Sequence, residues 1–398
     1  MKYLRFALIP AVLLLLPGLG QAGWFLACPP PTGQILRSVF FLDNNNGYAV
    51  GDSGIILKTT NGGAAWVSQT SGITEVLYSV HFPVNVQTGY VVGEGGIILK
   101  TTNEGAAWAS QTSGITEVLY SVHFPVNIQT GYVVGESGII LKTTDGGAAW
   151  ASQTSGTTSN LRSTHFPWDA QTGYAVGRSG TILKTTDGGI VWMIQSSGTT
   201  FHLYSTHFPL DAQIGHAVGQ SGTILKTTDG GASWTSFVEG NSLYSVHFPV
   251  DVQTGYAVGG YGTILKTTDG GAAWDSQTSG TTENLNSVHF PVDAQTGYAV
   301  GDLGTILKST DGGASFVEQT TEVRGQRLEV RIQIMPNPFV SFATIPGQEG
   351  KRFEMYDVLG RQVGLYTGDR IGWNLRSGVY FLRQEKGSGA LARVVKIR

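Results

Sequence analysis

Apolar and polar residues alternate with a period of two along most of the chain. In LYSVHF (77–82), Val80 and Phe82 alternate with Ser79 and His81. Runs of the type GYAVG and GTILKTT follow, and then a segment of the type AAWxSQT. Gly, Pro, Asp and Asn punctuate the gaps, as turns between short strands require. No stretch of the repeats keeps a helical period over even two turns. The pattern predicts units of four strands, A to D, and an all-β fold.

The units recur with a fixed spacing. Their last aromatic residues are Trp66, Trp108, Trp150, Trp192, Trp234, Trp274 and Phe316, separated by 42, 42, 42, 42, 40 and 42 residues. A four-stranded repeat of this length is the signature of a propeller blade. Seven units predict a seven-bladed β-propeller over residues 23–319. Segment 23–28, with Trp24, reads as an extra strand D, and 314–319 as another. One of them is expected to complete blade 7, because closing a ring removes open sheet edges.

Between strands C and D each unit writes a version of TTDGG. Asp-Gly supplies the backbone of a tight turn, and the Asp carboxylate accepts nearby N–H groups. The spacing S/T-x-D-x-G-x-x-W is complete at Thr143, Asp145, Gly147 and Trp150, and again at 185–192, 227–234 and 267–274. Asn61 and Asn103 replace Asp, and Phe316 replaces Trp. This motif resembles the Asp-box of bacterial neuraminidase repeats. Asp145, Asp187, Asp229, Asp269 and Asp311, with Trp150, Trp192, Trp234 and Trp274, are therefore read as structural.

The combined pattern GYAVGxxGTILKTTDGGxxW resembles the propeller of photosystem II assembly factors over roughly residues 24–319. That resemblance implies a propeller that binds a photosystem subunit.

The chain opens with Lys2 and Arg5 before the apolar run Phe6–Leu16, and Gly20-Gln21-Ala22 offers a cleavage site. Residues 1–22 read as a secretory signal peptide, too short in its apolar part to span a bilayer. The single cysteine, Cys28, excludes an intramolecular disulfide. Its setting, FLAC, distantly resembles a lipoprotein site.

The end of the chain differs in charge. From residue 320 onward there are 13 basic and 7 acidic residues, whereas residues 23–319 carry 10 and 21, a net of −11. Residues 320–334 read as a linker. MPNPF (335–339), YDVLGRQV (356–363), SGVYFLR (377–383) and RVVKIR (393–398) predict a small immunoglobulin-like β-sandwich over 335–398. Their order resembles the C-terminal sorting domain of the type IX secretion system of some Gram-negative bacteria. That resemblance implies recognition by the secretion machinery and export to the outer surface or the medium. An immunoglobulin-like adhesion module is the other reading.

Asp-boxes raise the possibility of a sialidase-like hydrolase. That chemistry needs converging arginines, a Tyr–Glu nucleophile pair and an acid, yet the propeller holds only Arg37, Arg162 and Arg178. Catalysis also needs one-off residues, and segments 68–108 and 110–150 differ at only four positions. No catalytic residue is assigned. His81, His123, His165, His207, His247 and His289 recur once per blade and read as structural hydrogen bonders, too far apart to share one metal ion. His202 and His216 are one-off histidines of a single blade. No metal or cofactor is expected.

Variation between blades points to one face. It collects in the B–C loops at Asp52, Glu94, Glu136, Arg178, Gln220, Tyr261 (beside Gly260) and Asp302. It collects also in the D–A loops, and early in strand A at Arg37, Tyr78, Tyr120, Arg162, Tyr204, Tyr244 and Asn286. These sets are expected to meet at one mouth of the channel, with a negative potential, and to bind a protein or a glycan. Free drift of exposed loops would produce the same variation. Neither nucleic acid nor a membrane span is expected. Three functions stay open: a secreted or cell-surface binding scaffold, a periplasmic assembly factor, and a degenerate glycosidase.

Overall fold

The computed structural model describes residues 23–26, 31–83, 86–238, 240–313 and the strands between 343 and 396. Two compact units divide after Val317. The expected signal peptide, Cys28, Phe316, segment 314–319 and linker 320–334 lie outside the described residues.

The first unit holds seven antiparallel sheets of four strands. Blade 2 is typical, with strands Leu77–His81, Gly89–Gly93, Ile98–Thr101 and Ala109–Gln111. Strand B is buried along its whole length in every blade. Its end glycines answer to neighbours: a Cβ on Gly47 would strike the Phe41 ring, and one on Gly51 the Ile35 carbonyl.

Most of the core lies between blades. Tyr90 of blade 2 stacks on Phe124 of blade 3 at 4.0 Å, and Trp150 meets Phe124 edge-on. The pattern repeats around the ring, so each blade buries its apolar face against the next. In blade 5, His216 takes the tyrosine's place and stacks on Phe248 at 4.2 Å.

The TTDGG turns form clasps. In blade 4 the buried Thr185 hydroxyl accepts the Gly189 N–H at 2.8 Å and donates to Asp187, whose carboxylate accepts the Val191 N–H at 3.0 Å. The preceding blade grips the same turn, with Tyr132 Oη and Lys142 Nζ both donating to the Gly188 carbonyl. Asn61 and Asn103 make the same bonds as Asp, because an amide oxygen accepts equally well.

Trp24–Leu26 is the fourth strand of blade 7, paired antiparallel with Leu307–Ser309. The amino-terminal segment therefore closes the ring. Trp24 packs edge-on against Phe290 and Tyr256. Chemically it fills the place that the repeat spacing gives to Phe316.

In the second unit, Gln362–Thr367, Arg352–Asp357, Gly378–Gln384 and Ala392–Lys396 form one antiparallel sheet in that order. Ala343–Thr344 pairs with Arg370–Ile371. The rest of the expected sandwich lies outside the described residues.

Candidate binding face

Strand A begins with a bulge in all seven blades. The register slips between Leu77 and Ser79, and at the equivalent step elsewhere. The skipped residues are Arg37, Tyr78, Tyr120, Arg162, Tyr204, Tyr244 and Asn286. A bulge leaves its extra residue unpaired and re-aims its side chain. These seven side chains are thus released from the ladder at one end of the inner strands.

They engage one another and the B–C turns. Arg37 forms a two-point ion pair with Asp52, at 2.7 and 3.2 Å. The Arg37 guanidinium also lies 5.4 Å from the Tyr78 ring centroid. Tyr78 meets Tyr120 edge-on at 5.1 Å, and Arg162 sits 3.9 Å over Tyr120. Tyr78 donates to Glu94 at 3.2 Å, and Tyr120 to Glu136 at 3.0 Å. Asn286 donates to Asp302 and to the Leu36 carbonyl, bridging blades 7 and 1. Tyr204 and Tyr244 form a second pair at 5.6 Å.

The B–C turns lie against the D–A loops. Glu94 N–H donates to the Val76 carbonyl, Ser179 N–H to His202 Nδ1, and Tyr261 N–H to Asn284 Oδ1. The three variable sets thus belong to one face. His202 and His216 do not meet: His202 belongs to this face, while His216 is buried and bonds to the Gly270 carbonyl. No cluster able to hold a metal occurs among the described residues.

Two features escape a reading of the sequence. The first is electrostatic. Asp52 is ion-paired with Arg37, whereas Glu94, Glu136 and Asp302 accept hydrogen bonds from neutral tyrosine and asparagine groups and keep their charge. Cations without an ion-pair partner among the described residues therefore stand out on an otherwise acidic face. Blade 4 carries Arg162, whose Nε is buried without a hydrogen-bond partner, and exposed Arg178, whose side chain bonds to nothing among the described residues. Blades 2 and 3 have Tyr and Glu at those two positions. The second feature is apolar. The middle residue of each B–C turn has a left-handed backbone, which suits Gly95 and is tolerated by serine. Tyr261 (φ 55°) and Leu303 (φ 53°) hold it despite their bulk, and they are 77% and 63% exposed. Bulky residues in this region are strained and point to function. Phe201, in a D–A loop, is exposed as well.

The Tyr–Glu contacts bear on catalysis. A nucleophilic phenol needs a lowered pKa. Burial, together with the Glu94 carboxylate, raises the pKa of Tyr78. Burial, reinforced by Glu136 and opposed by Arg162, pushes Tyr120 up to about 12. Arg37 is shifted upward as well: burial opposes its charge, yet Asp52 holds its pKa above the ordinary value.

The described residues of the first unit thus define a seven-bladed β-propeller with one variable face built from bulge residues and turns. The sequence matches the family described as photosynthesis system II assembly factor YCF48 over residues 27–113, 106–193, 156–243 and 237–322, and the chain belongs to that family. No curated protein matches it. Among solved structures it is similar to YCF48 bound to a D1 peptide, with 20% identity, a TM-score of 0.62, and coverage of 76% of this chain and 99% of that one. YCF48 from Cyanidioschyzon merolae gives 21% identity, TM-score 0.61 and coverage of 72% and 99%. A GH74 enzyme from Niastella koreensis gives 17% identity, TM-score 0.61 and coverage of 71% and 53%. At these identities the structural likeness shows the fold alone. No helix among the described residues is long and apolar enough to cross a membrane.

Proposed function

We propose that this protein is a non-catalytic binding propeller that holds an extended segment of a partner protein across the bulge-residue face. The observation that carries the reading is the unmatched pair Arg162 and Arg178. A buried guanidinium nitrogen without a partner is costly, and a carboxylate relieves that cost through charge-assisted bonds. An acidic side chain or chain end of the partner would sit over blade 4. Phe201, Tyr261 and Leu303 would take its apolar residues, as exposed anchors of a binding surface do. A related structure carries a peptide, which supports a peptide rather than a glycan as the ligand class.

Export belongs to the same proposal. Residues 1–22 would direct the chain out of the cytoplasm, and the C-terminal unit would be read by a type IX secretion machinery. The protein would then act at the outer surface of a Gram-negative cell or in the medium. Support comes from the n-region, apolar run and cleavage site, and from the order of motifs after Met335. Protease shaving of intact cells tests the location: retention inside the envelope would favour a periplasmic assembly factor.

The binding test is a peptide array probed with the full chain and with an Arg162→Ala/Arg178→Ala variant. Binding to peptides with acidic or free carboxyl ends should fall about tenfold or more in the variant. Asp275→Lys, an exposed outer-strand position, should leave binding unchanged. Equal binding by all three proteins, or binding to glycans alone, would overturn the proposal.

A further inference from the structure

At the far end of strand A, beyond the bulge residues, seven aromatic rings close a circle. The succession is Phe40, His81, His123, His165, His207, His247, His289 and back to Phe40. Neighbouring centroids are 4.9, 4.9, 4.8, 4.6, 4.8, 4.8 and 4.7 Å apart. Each ring keeps some accessible surface although it is deeply enclosed, as befits a group lining a narrow bore.

The hydrogen bonds fix the tautomer on one arc. The backbone N–H of Phe208 donates to Nδ1 of His165, that of Phe248 to His207, that of Phe290 to His247, and that of Phe41 to His289. A backbone N–H is only ever a donor, so these four Nδ1 atoms carry the lone pair. In the neutral ring the proton is then on Nε2. No bond from these four Nε2 atoms is made to any described residue, and none of them is sealed from solvent. Burial, and mutual repulsion where neighbours contribute, holds the imidazoles well below the ordinary histidine pKa, and no carboxylate contributes.

We propose that this arc, His165, His207, His247 and His289, is a binding site for a small tetrahedral oxyanion held on the propeller axis. The chemistry separates an anion from a metal ion. A metal at Nε2 needs the lone pair there, which would move the proton to Nδ1 and face it against the Phe N–H of the next blade. An anion needs the donors already present. Size agrees: a regular seven-membered ring with this edge has a radius of about 5.5 Å, far beyond the roughly 2 Å of a zinc–nitrogen bond. A nitrogen on the inner edge of such a circle would stand about 4.4 Å from its centre, which leaves room for an oxyanion whose oxygens accept at an N···O distance of about 2.9 Å. His81 and His123 lie outside the arc. His81 Nδ1 is buried without a partner, and His123 bonds through Nε2 to the Phe166 carbonyl at 3.2 Å.

An anion on the axis favours imidazolium, so binding should strengthen as pH falls. The groups facing the arc are the other collar histidines, with His216 also acting on His207.

The test uses the full chain, with sodium sulfate and inorganic phosphate as probes and chloride as the control. Nitrogen-15 NMR of labelled histidine should show the Nε2–H tautomer for the four arc residues. Sulfate should shift those signals, and calorimetry should show tighter binding at pH 6 than at pH 8. His207→Phe and His247→Phe should each weaken binding about tenfold by removing a charge-assisted donor. A phenyl ring is already accommodated at Phe40. Should either variant fail to fold, Phe40→His provides the second measurement, and sulfate should bind at least as tightly as in the parent. Nδ1–H tautomers, sulfate affinity unchanged by both Phe variants, or no response of the histidine signals to sulfate would overturn the proposal.

Discussion

The backbone N–H of Gly23 donates to the Asp311 carboxylate at 2.8 Å across 288 residues of chain. Asp311 is the clasp residue of blade 7, and it accepts from Ser309 as its counterparts accept from threonine. The last clasp is thus assembled from both ends of the propeller, with Trp24 supplied from the amino-terminal side.

Trp24→Ala should therefore behave as a core truncation although the residue lies next to the expected signal peptide. Its ring is 7% exposed among Tyr256, Phe290 and Leu307. A loss of about 3–5 kcal/mol is expected from denaturant unfolding. A variant as stable as the parent would mean that another segment closes blade 7.

The clasps divide into a buried anchor and an exposed brace. Thr185 is 1% exposed, and its hydroxyl is the acceptor for the buried Gly189 N–H. Thr185→Val should cost about 1–3 kcal/mol by leaving that donor unpaired. Asp187→Ala should cost less, because Val191 N–H lies at the surface and water replaces the carboxylate. Melting curves that reversed this order would place the strength of the turn in the aspartate.

Blade 2 carries a local defect. Glu104 stands at φ 61°, where blades 3 to 7 have glycine, and its carboxylate reaches Lys58 at 3.3 Å. Glu104→Gly relieves left-handed strain of about 1 kcal/mol and gives up a half-exposed ion pair of smaller worth. A modest rise in melting temperature is expected. A fall would mean that the Lys58 contact outweighs the backbone strain.

The histidines make the fold sensitive to acid. Burial pushes His247 down to about 4, as it does His123 and His216 against the pull of their carbonyl bonds. The unfolded chain takes up protons near pH 6.5 and the folded one does not. Stability is then fully present above about pH 6.5 and is lost progressively as pH falls toward 4. Urea midpoints at pH 8, 6 and 5 should decline in that order, in buffers free of sulfate and phosphate. Equal midpoints would show that the imidazoles titrate freely.

The repeat makes the architecture readable. Seven copies of Gly-Tyr-Ala-Val-Gly and of the clasp report the same local geometry seven times, so blade number and strand order follow from spacing. Even the closing strand is marked, by Trp24 standing in step with Trp66. The site is legible in part. Variation singles out Arg37, Tyr78 and Arg162, but the bulge that frees them is a feature of strand register, which alternation alone does not encode. Counting residues suggests an acidic face, and it does not reveal that blade 4 sets Arg162 and Arg178 within that face without an ion-pair partner among the described residues, which depends on side-chain geometry. The histidines read as single hydrogen bonders; their closure into a circle with Phe40 depends on distances between blades.

Residues 68–108 and 110–150 differ at four positions, and their seams with neighbouring blades use the same side chains. A crossover between the two encoding stretches would insert or delete a unit of 42 residues in frame. Every local contact of the product would be as good as before. Nothing within a blade counts the blades. The count is imposed only by closure, where Trp24–Leu26 pairs with Leu307–Ser309 and Tyr298 of blade 7 stacks on Phe41 of blade 1, so a ring with one unit more or fewer would have to re-form that seam at a different angle.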